Sequence, residues 1–202
     1  MTIDKYKLIL SFVSEYLEPF GFKRKGNTFY ILKNNNLGLI NFQKSSKCSK
    51  KATIFTINLG ISSTLLRKLL NNDSLKLKPD IDDCHWKKRI GFLLPQKQDY
   101  WWEINSNTSI DSLLVELTTL FSTLVIPEII NNIADECLEQ QWIQGESAGI
   151  TELQRLIYLT TLLKVGKRNN VIQEIDNLRR FSKGKAFEWT AMEHIKELEK
   201  YV

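Results

Sequence analysis

The chain has 202 residues, of which 43% are hydrophobic, 25% charged and 10% aromatic, a globular composition that excludes disorder and fibrous repeats. Its length supports a full core, arranged as one large domain, a domain with a helical extension or two compact halves. The net charge of +5 hides an asymmetry: residues 1–90 carry 17 Lys and Arg against 7 Asp and Glu, and residues 91–202 carry 11 against 16. Apolar runs fall short of the roughly 18 to 20 residues a bilayer requires. The longest, Leu113 to Ile130, is broken by Glu116, Thr118, Thr119, Ser122, Thr123, Pro127 and Glu128. The first residues, Met1 to Lys7, mix acidic and basic side chains with no apolar leader. A cytoplasmic protein with no membrane contact is therefore expected. Cys48, Cys84 and Cys137 are odd in number, widely spaced and free of any CxxC motif, so reduced, isolated thiols are expected, with no metal site and no cofactor.

After Thr2, the spacing of Ile3, Tyr6, Ile9, Leu10, Val13, Tyr16 and Leu17 predicts an amphipathic helix ended by Pro19 and Gly21. Thr28 to Lys33, the Asn34-Asn35-Asn36 turn and Leu37 to Gln43 predict a β-hairpin, because Asn tolerates the positive φ of tight turns. In a third strand, Thr53 to Ile61, the residues Phe55, Ile57, Leu59 and Ile61 alternate with Ile54, Thr56, Asn58 and Gly60, which predicts one apolar and one mostly polar sheet face. Ser63 to Leu70 reads as a short helix and Asn71 to Asp83 as an irregular acidic loop. Two short strands follow, Arg89 to Leu94 and Tyr100 to Ile104, joined by a turn over Pro95 to Asp99. Ser109 caps a helix through Leu124, and Pro127 begins a second helix or kinks the first.

Gly145 to Gly149 marks the clearest boundary, with Thr151 and Gln154 forming a capping box for a helix that stops near Gly166. Val171, Ile172, Ile175 and Leu178 form a further helical stripe. Phe187, Met192 or Ala191, Ile195 and Leu198 form another. The expected architecture is α+β: an antiparallel sheet of about five strands packed against helices over residues 1–145, followed by an α-helical C-terminal extension over residues 150–202.

Three constellations stand out. Strand parity places Asn41, Gln43, Thr56 and Asn58 on the polar sheet face, where amides offer donors and acceptors to a peptide, base or sugar. The bland alternative is an internal hydrogen-bond network closed against loops. Asp82-Asp83-Cys84-His85-Trp86 with Arg89 gathers a carboxylate, an imidazole and a guanidinium, a set suited to acid–base chemistry or to holding an anion. The alternative is that Arg89 pairs with Asp83 or Glu103. In Tyr100-Trp101-Trp102, alternation sends the two indoles to opposite faces, so Trp101 is either a stacking platform or is covered by the C-terminal helices. Lys23-Arg24-Lys25 and Lys44, Lys47, Lys50 and Lys51 form two basic clusters. They serve either an anionic partner or the protection of a sheet edge. There is no Gly-rich phosphate loop, GxSxG, HExxH or paired-carboxylate motif, so no catalytic residue is assigned.

Several of these segments have a counterpart in a known family. Gly21-Phe22-Lys23-Arg24-Lys25-Gly26 with Phe29-Tyr30, Asn41 to Ser46, Phe55 to Gly60, Cys84-His85-Trp86 with Arg89-Ile90-Gly91, and Trp101-Trp102 occur in order. Over Leu8 to Asn132 the chain resembles the uncharacterised, largely bacterial domain-of-unknown-function family DUF4304. That resemblance implies a shared fold and a shared polar surface without implying catalysis. The expected function is a non-catalytic interaction module of accessory, immunity or defence type. It would bind a protein or peptide through Asn41, Gln43, Asn58, His85, Arg89 and Trp101. The alternatives are a nucleic-acid binder using Lys44, Lys47, Lys50 and Lys51, and a hydrolase or transferase around Asp83, His85 and Arg89.

Overall fold

A computed structural model describes residues 4–70, 78–167 and 169–199. The first helix, α1 (Lys5–Leu17), starts where the Asp4 carboxylate accepts the backbone N–H groups of Tyr6 and Lys7; Thr2 and Ile3 lie outside the described residues. It buries Tyr6, Ile9, Leu10, Val13 and Leu17, the stripe that the three-and-four spacing requires. At its start the Lys5 ammonium donates to the carbonyls of Asn105, Ser106 and Thr108 at 2.9, 3.0 and 3.0 Å, tying the helix to a distant loop.

The sheet is antiparallel throughout. Its strands are β1 (Lys23–Lys25), β2 (Thr28–Lys33), β3 (Asn36–Lys44), β4 (Thr53–Ser62), β5 (Trp86–Arg89) and β6 (Trp102–Ile104). The order is β1-β2-β3-β4-β5, with β6 also on β4. The β2–β3 turn holds Asn34 and Asn35 at φ of 51° and 62°, the left-handed pair that a tight hairpin needs. The ten residues of β4 pair with β3 along one edge, from Phe55 opposite Lys44 to Ser62 opposite Leu37. Along its other edge β4 pairs first with β6, at Thr53 to Phe55, and then with β5, at Asn58 to Ile61.

Two strand expectations are corrected. Lys23 to Lys25 form an edge strand beyond those expected, and the strand expected over Arg89 to Leu94 is Trp86–Arg89, because Ile90–Phe92 turns into a 3-10 helix. Within that turn Gly91 packs directly on the Gln98 backbone: a Cβ there would lie 2.0 Å from the Gln98 carbonyl oxygen. Of the acidic stretch Asn71 to Asp83, residues 71–77 lie outside the described residues, and Ile81–Asp83 form a 3-10 turn.

The apolar sheet face, with Phe55, Ile57, Leu59 and Ile61 of β4 fully buried, meets α1 together with α3 (Ile110–Leu120) and α4 (Ile126–Asn132) in one core. These two helices join without a break through a π-helical turn, Phe121–Val125, in which the N–H of Ile126 bonds back to the Phe121 carbonyl. Pro127 follows directly, and the wide turn takes up the strain that its missing N–H and its ring would otherwise place on the helix. The resulting 23-residue helix, Ile110–Asn132, has the length and apolarity of a membrane span. One stripe of it, including Leu113, Leu117, Phe121, Val125 and Ile129, is packed into the core against the sheet.

The helices α2 (Thr64–Leu70), α5 (Asp135–Ile143), α6 (Glu152–Val165), α7 (Val171–Ser182) and α8 (Glu188–Glu199) complete the described chain. The Thr151 and Gln154 capping box opens α6. This helix faces two ways: Leu159, Leu162 and Leu163 join the main core, while Leu156 joins Ile175, Leu178, Ala191, Ile195 and Leu198 in a smaller one. Of Ala191 and Met192, Ala191 is the one that is buried, beside Ile195 and Leu198 of α8, and Ile172 of α7 is exposed. Arg155 locks the junction, donating to Glu152 and to the Trp142 carbonyl at the end of α5.

The polar sheet face is also covered in part. The segment Pro79 to Cys84 lies over Tyr30, Leu39 and Gly60. A Cβ on Gly60 would stand 2.6 Å from Cys84 Sγ and 2.7 Å from Ile81 Cδ1. Gly60→Ala is therefore expected to lower stability by about 1 to 3 kcal/mol through overpacking, read as a fall in urea midpoint at unchanged slope. An unchanged midpoint would mean that the segment does not rest on the strand.

Candidate functional site

The part of the polar face left open is a cleft of about 730 Å³, floored by Asn41 and Gln43 of β3, Asn58 of β4 and Arg89 of β5. Ile81, Asp82, Phe92, Ala148 and Gly149 form its walls. The volume lies within the usual range for ligand sites. Register explains the floor: Asn41 stands opposite Asn58, and Asn58 opposite Arg89, so three adjacent strands present one polar row.

The row is cross-linked. Arg89 Nε donates to Asn58 Oδ1 at 3.1 Å, Asn58 Nδ2 donates to Gln43 Oε1 at 2.8 Å, and Arg89 Nη2 donates to the same Gln43 oxygen at 3.3 Å. Arg89 Nη1 completes the set on both Asp99 oxygens, at 2.9 and 3.1 Å. The carboxylate partner of Arg89 is thus Asp99, and neither Asp83 nor Glu103. Trp101 lies against the guanidinium, 5.3 Å from ring centroid to Cζ, and its indole N–H donates to Asp99 Oδ2 at 2.8 Å. That indole N–H, with Arg89 beside it, holds the Asp99 carboxyl below the usual carboxylate range. Trp101 is half-buried by these partners, whereas Trp102 enters the core, stacked on Phe55 at 5.2 Å.

Asn41 Nδ2 donates to Thr28 Oγ1 at 2.8 Å. Its Oδ1 and the Gln43 Nε2–H groups remain without a partner among the described residues. The floor therefore keeps one acceptor and one donor in reserve, two residues apart on one strand.

His85 departs from the expectation of a surface ligand. It is 3% exposed, its Nδ1 accepts the Ser63 N–H at 3.0 Å, and Tyr158 of α6 meets it edge-on at 4.9 Å. Burial first, and Arg67 second, push its pKa down to about 4, so the imidazole is neutral at pH 7. Asp83 Oδ2 thus accepts the Asp80 N–H within the 3-10 turn, His85 accepts the Ser63 N–H, and Arg89 donates to Asn58, Gln43 and Asp99. Among the described residues there is no cluster of metal-ligating side chains.

Lys87, Lys88 and Phe92 belong to the cleft although no sequence pattern marked them as site residues, and Asp82 and Gly149 join them from the acidic constellation and the Gly145–Gly149 boundary. Gly149 closes it by contact: a Cβ there would lie 2.4 Å from the Lys87 carbonyl oxygen, and Lys87 N–H donates to the Ala148 carbonyl at 3.0 Å. Lys44, Lys47, Lys50 and Lys51 lie away from the floor, in and beside the β3–β4 turn, and are all exposed.

The state of His85 sets a pH dependence. His85 takes its proton near pH 6.5 when unfolded but near 4 when folded, so between these values the unfolded state binds more protons and stability falls as pH falls. His194, buried on α8 and bonded to Thr160 at 3.0 Å, acts in the same direction. The His85 contribution is on the order of 3 kcal/mol across that window. Unfolding free energies of His85→Gln should accordingly decline less than those of the unaltered chain between pH 6.5 and 4, and parallel declines would show that His85 is not shielded from water.

Searches of curated proteins and of solved structures found no match to the chain. A family model described as "Domain of unknown function (DUF4304)" matches residues 13–136. That span takes in all six strands, the polar row and its Asp99–Trp101 support, and ends at the start of α5. The chain therefore belongs to the DUF4304 family.

Proposed function

We propose that this protein is a non-catalytic cytoplasmic module that binds an extended segment of a protein partner in the cleft over β3, β4 and β5. The observation that carries the reading is the reserve acceptor and donor on Asn41 and Gln43. Side chains two apart on one face of a strand are spaced by about 7 Å, which is also the repeat of an extended peptide backbone. A bound strand can thus offer an N–H to Asn41 and a carbonyl to Gln43 in successive repeats. Phe92, 52% exposed on the cleft wall, offers an apolar anchor beside them. The floor suits peptide groups better than a general acid or base, because its amides donate and accept without titrating and its one guanidinium, Arg89, is held by Asp99. The three unpaired thiols agree with a reducing compartment.

The test is a random peptide library panned against the intact protein. Selected peptides should lose at least tenfold in affinity, about 1.4 kcal/mol, in both Gln43→Ala and Phe92→Ala. Phe92→Ala should leave the melting temperature close to that of the unaltered chain, since its ring is exposed, whereas Gln43→Ala also removes the acceptor of Asn58 Nδ2 and Arg89 Nη2 and should lower it. Arg89→Ala is the less informative variant, because removing the guanidinium strips partners from Asn58, Gln43 and Asp99 together. No enrichment, or peptides indifferent to both variants, would refute the cleft as a peptide site.

A further inference from the structure

The two basic clusters are about twenty residues apart in sequence, and the sheet brings them to one end. β1 and β2 meet register at Lys25 opposite Thr28, and Thr28 stands opposite Asn41 on β3, so the β1–β2 turn lies beside the strand end that leads into the β3–β4 turn. A backbone bond fixes this, with Phe42 N–H donating to the Asn27 carbonyl at 2.9 Å. Arg24 Nε donates to the Gly26 carbonyl at 2.8 Å, which holds its guanidinium at the first turn. Lys44 lies over the Tyr6 ring at 4.2 Å, at the root of the second. Lys23 to Lys25 together with Lys44, Lys47, Lys50 and Lys51 are all exposed, and none has a carboxylate partner among the described residues. Asp4, close to Tyr6, pairs with Lys7, and Glu103, opposite Ile54 on β4, accepts from Asn105 Nδ2.

From this convergence we infer that the end of the sheet formed by the β1–β2 and β3–β4 turns binds the phosphate backbone of a nucleic acid. Seven cations without a carboxylate partner among the described residues, on β1, the end of β3 and the β3–β4 turn, form a field that neither cluster makes alone. The residue types favour phosphate over an acidic protein surface. Lysine is depleted from protein interfaces, whose affinity rests on buried aromatic anchors, whereas phosphates are served by flexible point charges. The rings beneath these cations, Tyr6 under Lys44 and Phe29 under Arg24, are 3% and 1% exposed and cannot stack on a base, so the contact is expected to be independent of sequence. This surface lies at the end of the sheet, outside the peptide cleft, and stands or falls separately from it.

The experiment is fluorescence anisotropy of the full chain with a labelled mixed-sequence DNA duplex of about 20 base pairs, titrated between about 50 and 200 mM salt. Five to seven phosphate contacts predict a slope of log affinity against log salt of about −5. Lys47→Glu/Lys50→Glu/Lys51→Glu should reduce the slope by about 3 in magnitude. Lys23→Glu/Lys25→Glu, on β1, should also flatten it, and Phe92→Ala in the cleft should leave it unchanged. Absence of binding at the lowest salt would overturn the proposal. Insensitivity to the Lys23 and Lys25 pair would overturn the convergence of the clusters, and displacement by polyglutamate at equal charge would reassign the surface to an acidic protein.

Discussion

The structure depends on β4, a ten-residue strand that is flanked along both edges and buried on both faces. Edge pairing removes its backbone polar groups from solvent, and period-two alternation then divides its side chains between two chemistries. Phe55, Ile57, Leu59 and Ile61 carry the core against α1, α3 and α4, while Thr56, Asn58 and Gly60 face the other way. Each outward residue has a distinct role. Thr56 donates to the Tyr100 carbonyl at 2.8 Å and anchors the approach to β6, Asn58 centres the polar row, and Gly60 admits Ile81 and Cys84. A shift of one residue in register would bring Thr56 and Asn58 into the core.

The polar row itself is pre-organised. Arg89 is the only charged member of the floor, and Asn58, Gln43, Asp99 and Trp101 hold it from several directions. A buried or half-buried guanidinium is tolerable only when its donors are engaged. Here that engagement also fixes the Gln43 and Asn58 amides, whose orientation would otherwise cost entropy on binding. The same locking separates the row from acid–base chemistry: its cation is neutralised by Asp99, and the nearby imidazole of His85 is turned toward Ser63 and Tyr158.

Much of this was legible in the residues. The alternation in β4, the paired asparagines of the β2–β3 turn, the Ser109 cap and the Thr151 capping box each follow from local chemistry, and each forms as expected. Other features depend on contacts between distant segments. Nothing local marks Asp99 as the partner of Arg89, or shows that Arg89 to Leu94 bends at Gly91 against Gln98. Burial of His85 depends on Tyr158, more than seventy residues further on. The π turn did leave a trace: Leu113, Leu117, Phe121, Val125, Ile129 and Ile133 recur every fourth residue. On a helix of 3.6 residues per turn such a stripe drifts by about 40° per step, and one widened turn brings it back toward the sheet.

The short stitch between Lys87 and Ala148 bears on how the chain reaches its fold. Strands β1 to β4 are successive neighbours joined by turns, so their contacts are local and form early. The outer edge of β5 finds its partner only in Ala148 and Gly149, some sixty residues later. During synthesis there is thus an interval in which the sheet has been built while that edge is still open, and open strand edges recruit other chains. A chain ending before Ala148 would remain in that interval permanently, with its β5 edge uncovered and without the α6 residues Leu159, Leu162 and Leu163 that complete the core. The helical segment after Gly149 therefore acts, in folding terms, as a late-arriving clasp on the sheet that precedes it.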